Sequence, residues 1–301
     1  MTCPPTLFNL DFSFRIVWPL VQMAKTVGVV AKRDSNEIAE AGRKICEIIR
    51  AHDLLAIPET ALARTARIPR GRPLSQIKSD LVVTLGGDGT VLKVVREMRD
   101  SNTPILGVNM GQRGYLTEIE PDGFEKALSR WIAGDFQLEK HWKISVSLNN
   151  HLVGEGLNEA LMTPTVPAKM LRLEISLAGR KLFTVRADGL IVATPTGSTA
   201  HSFSAGGPVL DGSLEGLVMS FLAPLQPVRS LVVPSKKSLR VRIDKPGQDA
   251  NLSIDGRLEK RIGIGQSVLF RKSPMSTVFV RFGDSFLQRS LKRLSPEKET
   301  L

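Results

Sequence analysis

Residues Leu81-Val82-Val83-Thr84-Leu85 run without a charge into Gly86-Gly87-Asp88-Gly89-Thr90, and Thr90 to Met98 then takes up helical spacing. This order of apolar strand, glycine turn and helix constrains the fold more than any other stretch. A strand with no polar alternation is buried on both faces, the habit of parallel sheets, and parallel strands need crossover helices. The glycines allow backbone N–H groups to turn toward an anion, and the helix N-terminus adds positive partial charge. A carboxylate in that place repels bare phosphate, so Asp88 needs a second reason. A hydroxyl to orient or deprotonate, or a divalent cation to hold, supplies one, and phosphoryl transfer uses both. The competing reading is a tight turn with Asp88 as N-cap of the helix. No Gly-Lys-Ser/Thr follows, so this is not a Walker loop.

The flanking sequence supports an α/β layer. Thr26–Ala31 reads as a strand, Asp34 with Glu37 as a helix start, and Ile38, Ile45, Ile48 and Ile49 as one helix face. Leu54–Ile57 and Ile105–Val108 are further strands, and Pro121–Gly134 is a helix opened by Pro and closed by Gly. Pro58–Ser79 is polar, basic and broken by Pro69 and Pro73, so a loop or lid is expected there. Ligands on such sheets gather at the carboxyl ends of the strands, where Gly86–Thr90 lies.

Past Lys140 the texture changes to short strands of period two: Lys143–Leu148, Leu171–Ala178, Lys181–Arg186, Leu239–Ile243, Ser267–Arg271 and Thr277–Arg281. Asn149-Asn150, Ala178-Gly179, Pro246-Gly247 and Asp255-Gly256 are the turns between them. The expected fold is an α/β domain with a parallel sheet over 23–140 and an all-β, sandwich-like domain over 141–285. Residues 286–301 are expected to return to the first domain and end in a charged tail. Residues 1–22 are apolar with only Asp11 and Arg15 charged, and a strand opens directly after Met23. They are expected to be a loose extension, or to precede the true initiator, and to be dispensable for folding and activity.

The 301 residues include 42% hydrophobic side chains, enough for a sizeable core, and no apolar run of membrane-spanning length. Cys3 and Cys46 have no paired spacing, which argues against a disulfide scaffold or zinc site and for a reducing cytoplasm. Cys46, on an amphipathic helix, is expected in the core. The net charge is +11, and Arg229–Lys272 carries eleven Lys and Arg against four Asp and Glu. There the charges alternate with apolar residues as on a solvated strand face, with few aromatics for base stacking, so neither nucleic acid nor membrane is an expected partner.

Two further stretches carry chemistry. Asn158-Glu159 sets an amide and a carboxylate side by side between apolar residues. Asn can read an adenine edge or a hydroxyl, and Glu can accept from a ribose hydroxyl or a metal-bound water. The alternative is a plain turn, and strand neighbours would point to opposite faces. The stretch from Arg186 and Asp188 through Pro195, Gly197 and Thr199-Ala200-His201-Ser202-Phe203-Ser204 to Gly206-Gly207-Pro208 wraps hydroxyls around glycines, which suits phosphate and sugar oxygens. A Ser/Thr-capped loop entering a helix is the structural alternative. His201 lacks the partners of a nucleophilic triad and reads as a packing or stacking group.

With these three constellations in order, the chain resembles the NAD kinase family over roughly Thr26 to Arg281. Gly86–Thr90 matches its Gly-Gly-Asp-Gly-Thr signature, Asn158-Glu159 its Asn-Asp/Glu pair, and Asp188–Pro208 its long glycine- and threonine-rich segment. The resemblance implies NAD bound between the two domains and often across a contact in a homodimer or homotetramer. It implies phosphorylation of the 2′-hydroxyl of the adenosine ribose, giving NADP, with ATP or polyphosphate as donor and Mg²⁺ or another divalent cation as cofactor. Asp88 would accept the proton, and Gly86, Gly87, Gly89 and Thr90 would cradle phosphate. Gly89 and Lys93 fall in the family's binding segment. Asn158 and Glu159 would touch the adenosine, and Lys169, Arg186 and Asp188 match further dinucleotide contacts. Thr199, Ala200, His201, Ser202, Phe203 and Ser204 would wrap the adenosine. The family usually has tyrosine where this chain has His201, a smaller ring with a pH-dependent charge. The alternatives are a lipid kinase of the diacylglycerol or sphingosine type, which shares only the first motif, and a non-enzymatic NADP-binding sensor.

Overall fold

The computed structural model describes residues 26–32, 36–98, 100–111 and 114–294. The expected extension at 1–22, Asp34 and the tail past 294 lie outside the described residues. The first half runs β1 (Thr26–Ala31), α1 (Asn36–Ala51), β2 (Leu55–Pro58), α2 (Thr60–Thr65), β3 (Leu81–Gly86), α3 (Asp88–Glu97), β4 (Ile105–Asn109) and α4 (Phe124–Ile132). These strands are parallel in the order β2-β1-β3-β4. Helices cover both faces. Ile38, Ile45, Cys46 and Ile49 of α1 join Phe124, Leu128 and Trp131 of α4 against Leu81, Val83 and Leu85. Val91, Val94 and Val95 of α3 meet Val82 and Ile105 on the opposite face. The uninterrupted β3 is thus buried on both sides, each aliphatic side chain contributing about 1.5–3 kcal/mol of transfer free energy. Cys46 is wholly buried, and burial pushes its thiol up to about 11.

The second half adds β5 (Gln137–Leu148), β6 (His151–Gly156), β7 (Glu159–Pro164), β8 (Leu171–Leu177), β9 (Arg180–Ala187), β10 (Gly189–Ala193), the short α5 (His201–Ser204), β11 (Gly216–Leu222), β12 (Leu231–Pro234), β13 (Leu239–Ile243), β14 (Ala250–Ile254), β15 (Arg257–Ile262), β16 (Ser267–Arg281) and α6 (Phe286–Leu294). An antiparallel sheet, β12-β11-β10-β7-β14-β15, lies face to face with strands β5, β8, β9, β13 and β16. Ile144, Leu173, Val241 and Phe270 on one leaf meet Met162, Leu190, Met219 and Leu252 on the other. The expected sandwich is therefore present. Asn149-Asn150, Ala178-Gly179 and Asp255-Gly256 all hold positive φ at both positions. That is the turn whose twist matches paired strands, which is why Asn, Asp and Gly stand there.

Three features differ from the sequence reading. The segments Ser267–Arg271 and Thr277–Arg281 belong to one strand, β16, whose register shifts between Lys272 and Ser276. With β5 along its length and β4 beside Phe279, this strand fuses the parallel sheet and one leaf of the sandwich into a single ten-stranded sheet. Strand β5 itself runs across the expected boundary at 140. Pro58–Ser79 is not a lid: it forms α2 and a 3₁₀ turn at Leu74–Gln76 and buries Leu62, Ala63, Ala66, Ile68, Leu74 and Ile77. Leu62 and Ala66, four apart, form the buried stripe, and Glu59 caps α2 by accepting from Ala61 N at 3.2 Å.

Candidate active site

Strand β3 delivers its last residue, Gly86, to the mouth of the sheet at φ 150°, where a Cβ would lie 2.3 Å from Thr90 Oγ1. Gly87 is the N-cap of α3 and Asp88 its first residue, so Asp88 is not the cap. Its carboxylate has another partner. One oxygen accepts the N–H of Tyr115 at 2.8 Å and the other the N–H of Leu116 at 2.9 Å. Gly114 allows that approach, because a Cβ there would stand 2.3 Å from Asp88 Oδ1. By contrast, a Cβ on Gly87 or Gly89 would meet nothing within 4 Å among the described residues. Internal packing does not require those two glycines; they leave the rim of the turn open, as a phosphate cradle needs.

The second constellation is built by three loops. Asp255, at the turn from β14 to β15, accepts the N–H groups of Leu157, Asn158 and Glu159 at 2.7, 2.9 and 3.1 Å. Thr194, just after β10, donates its hydroxyl to Leu157 O at 2.5 Å, and its N–H donates to Asn158 O at 2.8 Å. Gly197 closes over the same peptide so tightly that a Cβ would lie 2.1 Å from Asn158 O. Asn158 and Glu159 are consequently buried, and Glu159 Oε2 has no hydrogen-bond partner among the described residues. Burial, then the charge of Asp255, pushes the Glu159 carboxyl up to about 7. Asp255 is also shifted up by burial, against the pull of its three amide donors.

A buried polar array joins the two constellations. Nδ1 of His141 on β5 lies 2.7 Å from Thr196 Oγ1, and its Nε2 lies 3.3 Å from Glu139 Oε2. Burial keeps His141 below the usual imidazole range despite Glu139. A neutral ring beside a carboxylate favours the Nε2–H tautomer, leaving Nδ1 to accept from Thr196. Burial alone would raise Glu139, but His141, Arg281 and Arg289 outweigh it and hold it well below the carboxylate range. Arg281, wholly buried at the end of β16, donates to Glu139 at 2.6 Å, to Leu116 O at 3.0 Å and to Glu118 at 3.2 Å. The sequence reading assigns Gly114, Tyr115, Leu116 and His141 no role, and it takes Asp255 only as a turn residue and Arg281 only as a strand end. The signal in the sequence that could mark this loop is Gly114, where the backbone approaches Asp88 too closely for a side chain.

The predicted residues fall into groups. Gly86, Gly87, Asp88, Gly89 and Thr90 form the turn. Lys93, one turn further along α3, holds its amine 3.3 Å from buried Glu59. Asn158 and Glu159 meet the Thr194–Thr199 loop, since Glu159 pairs with Ala193 across β7 and β10. Thr199 is buried, and α5 then folds back along the outer face of the sheet, with Ser202 Oγ 2.9 Å from Ser220 Oγ. His201, Phe203 and Ser204 stay exposed, and Ala200 is half-buried. Lys169, Arg186 and Asp188 are exposed at the other end of these strands, Asp188 directly before β10 and Lys169 beyond β7. At ~3.3 Å per residue, Asp188 stands about 16 Å from Ala193, the β10 residue paired with Glu159. One chain therefore does not bring these residues to Asn158 and Glu159.

Among the described residues no three Asp, Glu, His or Cys side chains cluster as a metal cage. A cation held mainly by donor phosphates does not need one. Asn109 ends β4 beside Gly86, and its buried Oδ1 has no partner among the described residues. With the Asp88 carboxylate it supplies the hard oxygen donors that such an ion takes, so the residues fit. No helix among the described residues is long and apolar enough to cross a membrane.

A doubly covered parallel sheet with a carboxylate fixed at an open glycine turn, joined to a sandwich that presents a buried Asn-Glu pair and a hydroxyl-rich loop, defines a kinase. Models of the ATP-NAD kinase N-terminal and C-terminal domains match residues 27–136 and 157–282. The NAD kinase of Methanothermobacter thermautotrophicus is 35% identical over 273 residues, covering 89% of this chain and 95% of its own. That of Thermococcus kodakarensis is 35% identical over 260 residues, covering 85% and 93%. An Archaeoglobus fulgidus NAD kinase solved in complex with ATP superposes with a TM-score of 0.73 at 27% identity, covering 89% of this chain and 99% of that one. Yeast NADH kinase complexed with NADH shares the fold, with a TM-score of 0.84 at 21% identity, covering 92% and 89%. The chain belongs to the NAD kinase family, and it is an enzyme of that family.

Proposed function

We propose that this protein transfers the terminal phosphoryl group of ATP to the 2′-hydroxyl of the adenosine ribose of NAD, forming NADP. The observation that carries the residue roles is the Asp88 carboxylate, fixed by two backbone amides at an open glycine rim. A carboxylate has about four lone-pair sites, and the amides occupy two, so Asp88 retains capacity to accept the ribose O–H. The ribose oxygen forms its bond to the γ-phosphorus as the bond to the β-phosphate oxygen breaks and ADP leaves. Asp88 orients the hydroxyl and takes its proton late, as a weak acid loses it only when bonding to phosphorus is advanced. The N–H groups of the Gly86–Thr90 turn and the α3 N-terminus receive phosphate oxygens. Glu159 accepts from a sugar hydroxyl, and Asn158 reads the adenosine. A divalent cation, Mg²⁺ or a similar ion, neutralises donor phosphate charge when bound, and Asn109 Oδ1, a buried oxygen without a partner among the described residues, would help to hold it.

The placement of Lys169, Arg186 and Asp188 at the far strand ends supports a dinucleotide site shared between two copies of the chain in a homo-oligomer, and the two cysteines without paired spacing support a reducing cytoplasm as its compartment. The deciding measurement is NADP formation by purified protein with ATP and polyphosphate in parallel arms and Mg²⁺ present. Phosphorus NMR should place the new phosphate on the 2′-oxygen. Phosphorylated lipid with no NADP from any donor would overturn this reading.

A further inference from the structure

We propose that Arg281 and Arg293 are positioning residues for the transfer step: they clamp the carbonyl edge of residues 114–118, whose amide edge holds the Asp88 carboxylate. The proposal rests on the role given to Asp88 above. The 114–118 segment is an irregular connection, and both of its edges are tied. Tyr115 and Leu116 give their N–H groups to Asp88. Leu116 O accepts from Arg281 at 3.0 Å and Thr117 O from Arg293 at 3.2 Å. The Glu118 carboxylate accepts from Arg281 at 3.2 Å and from Phe282 N at 2.9 Å. The Arg293 guanidinium also lies over the Tyr115 ring, 5.6 Å from its centroid.

Ordinary loop stability does not call for this arrangement. Burial pushes the Arg281 guanidinium down, and Arg289 beside it adds repulsion that Glu139 and Glu118 only oppose. Burial also lowers Arg293, against the attraction of Asp88. A buried ion cluster is costly to assemble and often no more stabilising than apolar packing. What it supplies is a fixed geometry, because a planar guanidinium ties two acceptors at set angles. Arg293 comes from α6, 176 positions after Thr117, so the C-terminal helix reaches the nucleophile-activating carboxylate through one strip of backbone. A displacement of about 1 Å in a reacting group can cost on the order of 100-fold in rate.

The test uses the full chain with Arg293→Ala and Arg293→Lys, read by steady-state kinetics and by hydrogen exchange of peptides spanning residues 111–119. For Arg293→Ala the expected result is a fall in kcat of about 10- to 100-fold. KM for NAD and ATP should stay within about threefold, and Tyr115 and Leu116 should lose amide protection while the β3 peptides keep theirs. Arg293→Lys keeps a donor for Thr117 O and should recover part of both losses. If the alanine variant does not fold, the lysine variant carries the same paired readout. Exchange loss without a fall in kcat, or a fall in kcat with full protection, overturns the proposal. A wild-type chain that makes no NADP overturns the assigned function instead, and the exchange arm still decides whether Arg293 holds the segment.

Discussion

At the scale of single residues, Asp88 separates chemistry from capping. Both of its oxygens accept amide hydrogens, so Asp88→Asn points an NH₂ at one of those donors. The substitution should cost about 1–3 kcal/mol of stability from the unpaired donor. Turnover should fall about 10²–10⁴-fold through loss of the proton acceptor. A coupled NADP assay with thermal melts on the same preparations checks both, and near-normal turnover would sink the catalytic assignment. The glycines make a second contrast. Gly89→Ala meets nothing within 4 Å among the described residues and should leave stability unchanged or raise it by about 0.4–1 kcal/mol, while KM for the donor rises. Gly197→Ala collides with the Asn158 peptide and should lower the melting temperature and activity together. Equal behaviour of the two variants would remove the phosphate-cradle reading. Asp88 was legible in the sequence because a carboxylate among glycines is unusual. Its partners were not, because backbone N–H groups leave no side-chain signature, and Gly114 alone marks the place where they approach.

At the scale of elements, the β14–β15 turn governs the start of β7. Asp255 holds three consecutive amides there, and its charge helps raise Glu159 to about 7 from the ordinary 4.5. Sugar hydroxyls donate to the ionised form, so KM for NAD should rise as pH falls below about 7, approaching tenfold per unit. Glu159→Gln should flatten that profile. Folding runs the other way. A carboxyl raised in the folded state contributes stability that is fully present below pH 4.5 and is lost as pH rises through about 7. Melts with and without NAD at two pH values should show the opposed slopes, and a pH-independent KM would refute the contact with Glu159. The two-residue hairpins were readable because Asn, Asp and Gly are the residues that best tolerate positive φ, and each pair contains at least one of them, although Ala178 also takes φ 50°. The continuity of β16 was hidden by Pro274, which lacks an amide hydrogen and sits in the register shift where no ladder bond is needed. The helix at Thr60–Thr65 was masked by basic and proline-rich neighbours, though its buried spacing was present.

At the scale of the whole molecule, β5 and β16 belong to both layers, and the sheet they complete has no seam. Leu157 and Phe279 also share a core with Val91 and Leu116 of the α/β half. Calorimetry should therefore give one cooperative transition, with calorimetric and van't Hoff enthalpies in agreement. Two resolved transitions, or an isolated fragment ending at residue 136 that melts cooperatively, would contradict this. The change of texture at Lys140 revealed that two architectures are present. It could not reveal that they share strands, since pairing between distant segments depends on partners that local periodicity does not encode. The order of synthesis gives that sharing a further consequence. The bonds that close the structure join residues as far apart as Leu116 and Arg281, 165 positions along the chain. During translation β4 must wait with an open edge until β16 has been made, and exposed edges and long-range closure favour slow folding and association with other chains. The α/β half therefore cannot close its own sheet before β16 exists, and shielding the β4 edge until then should raise the yield of folded enzyme.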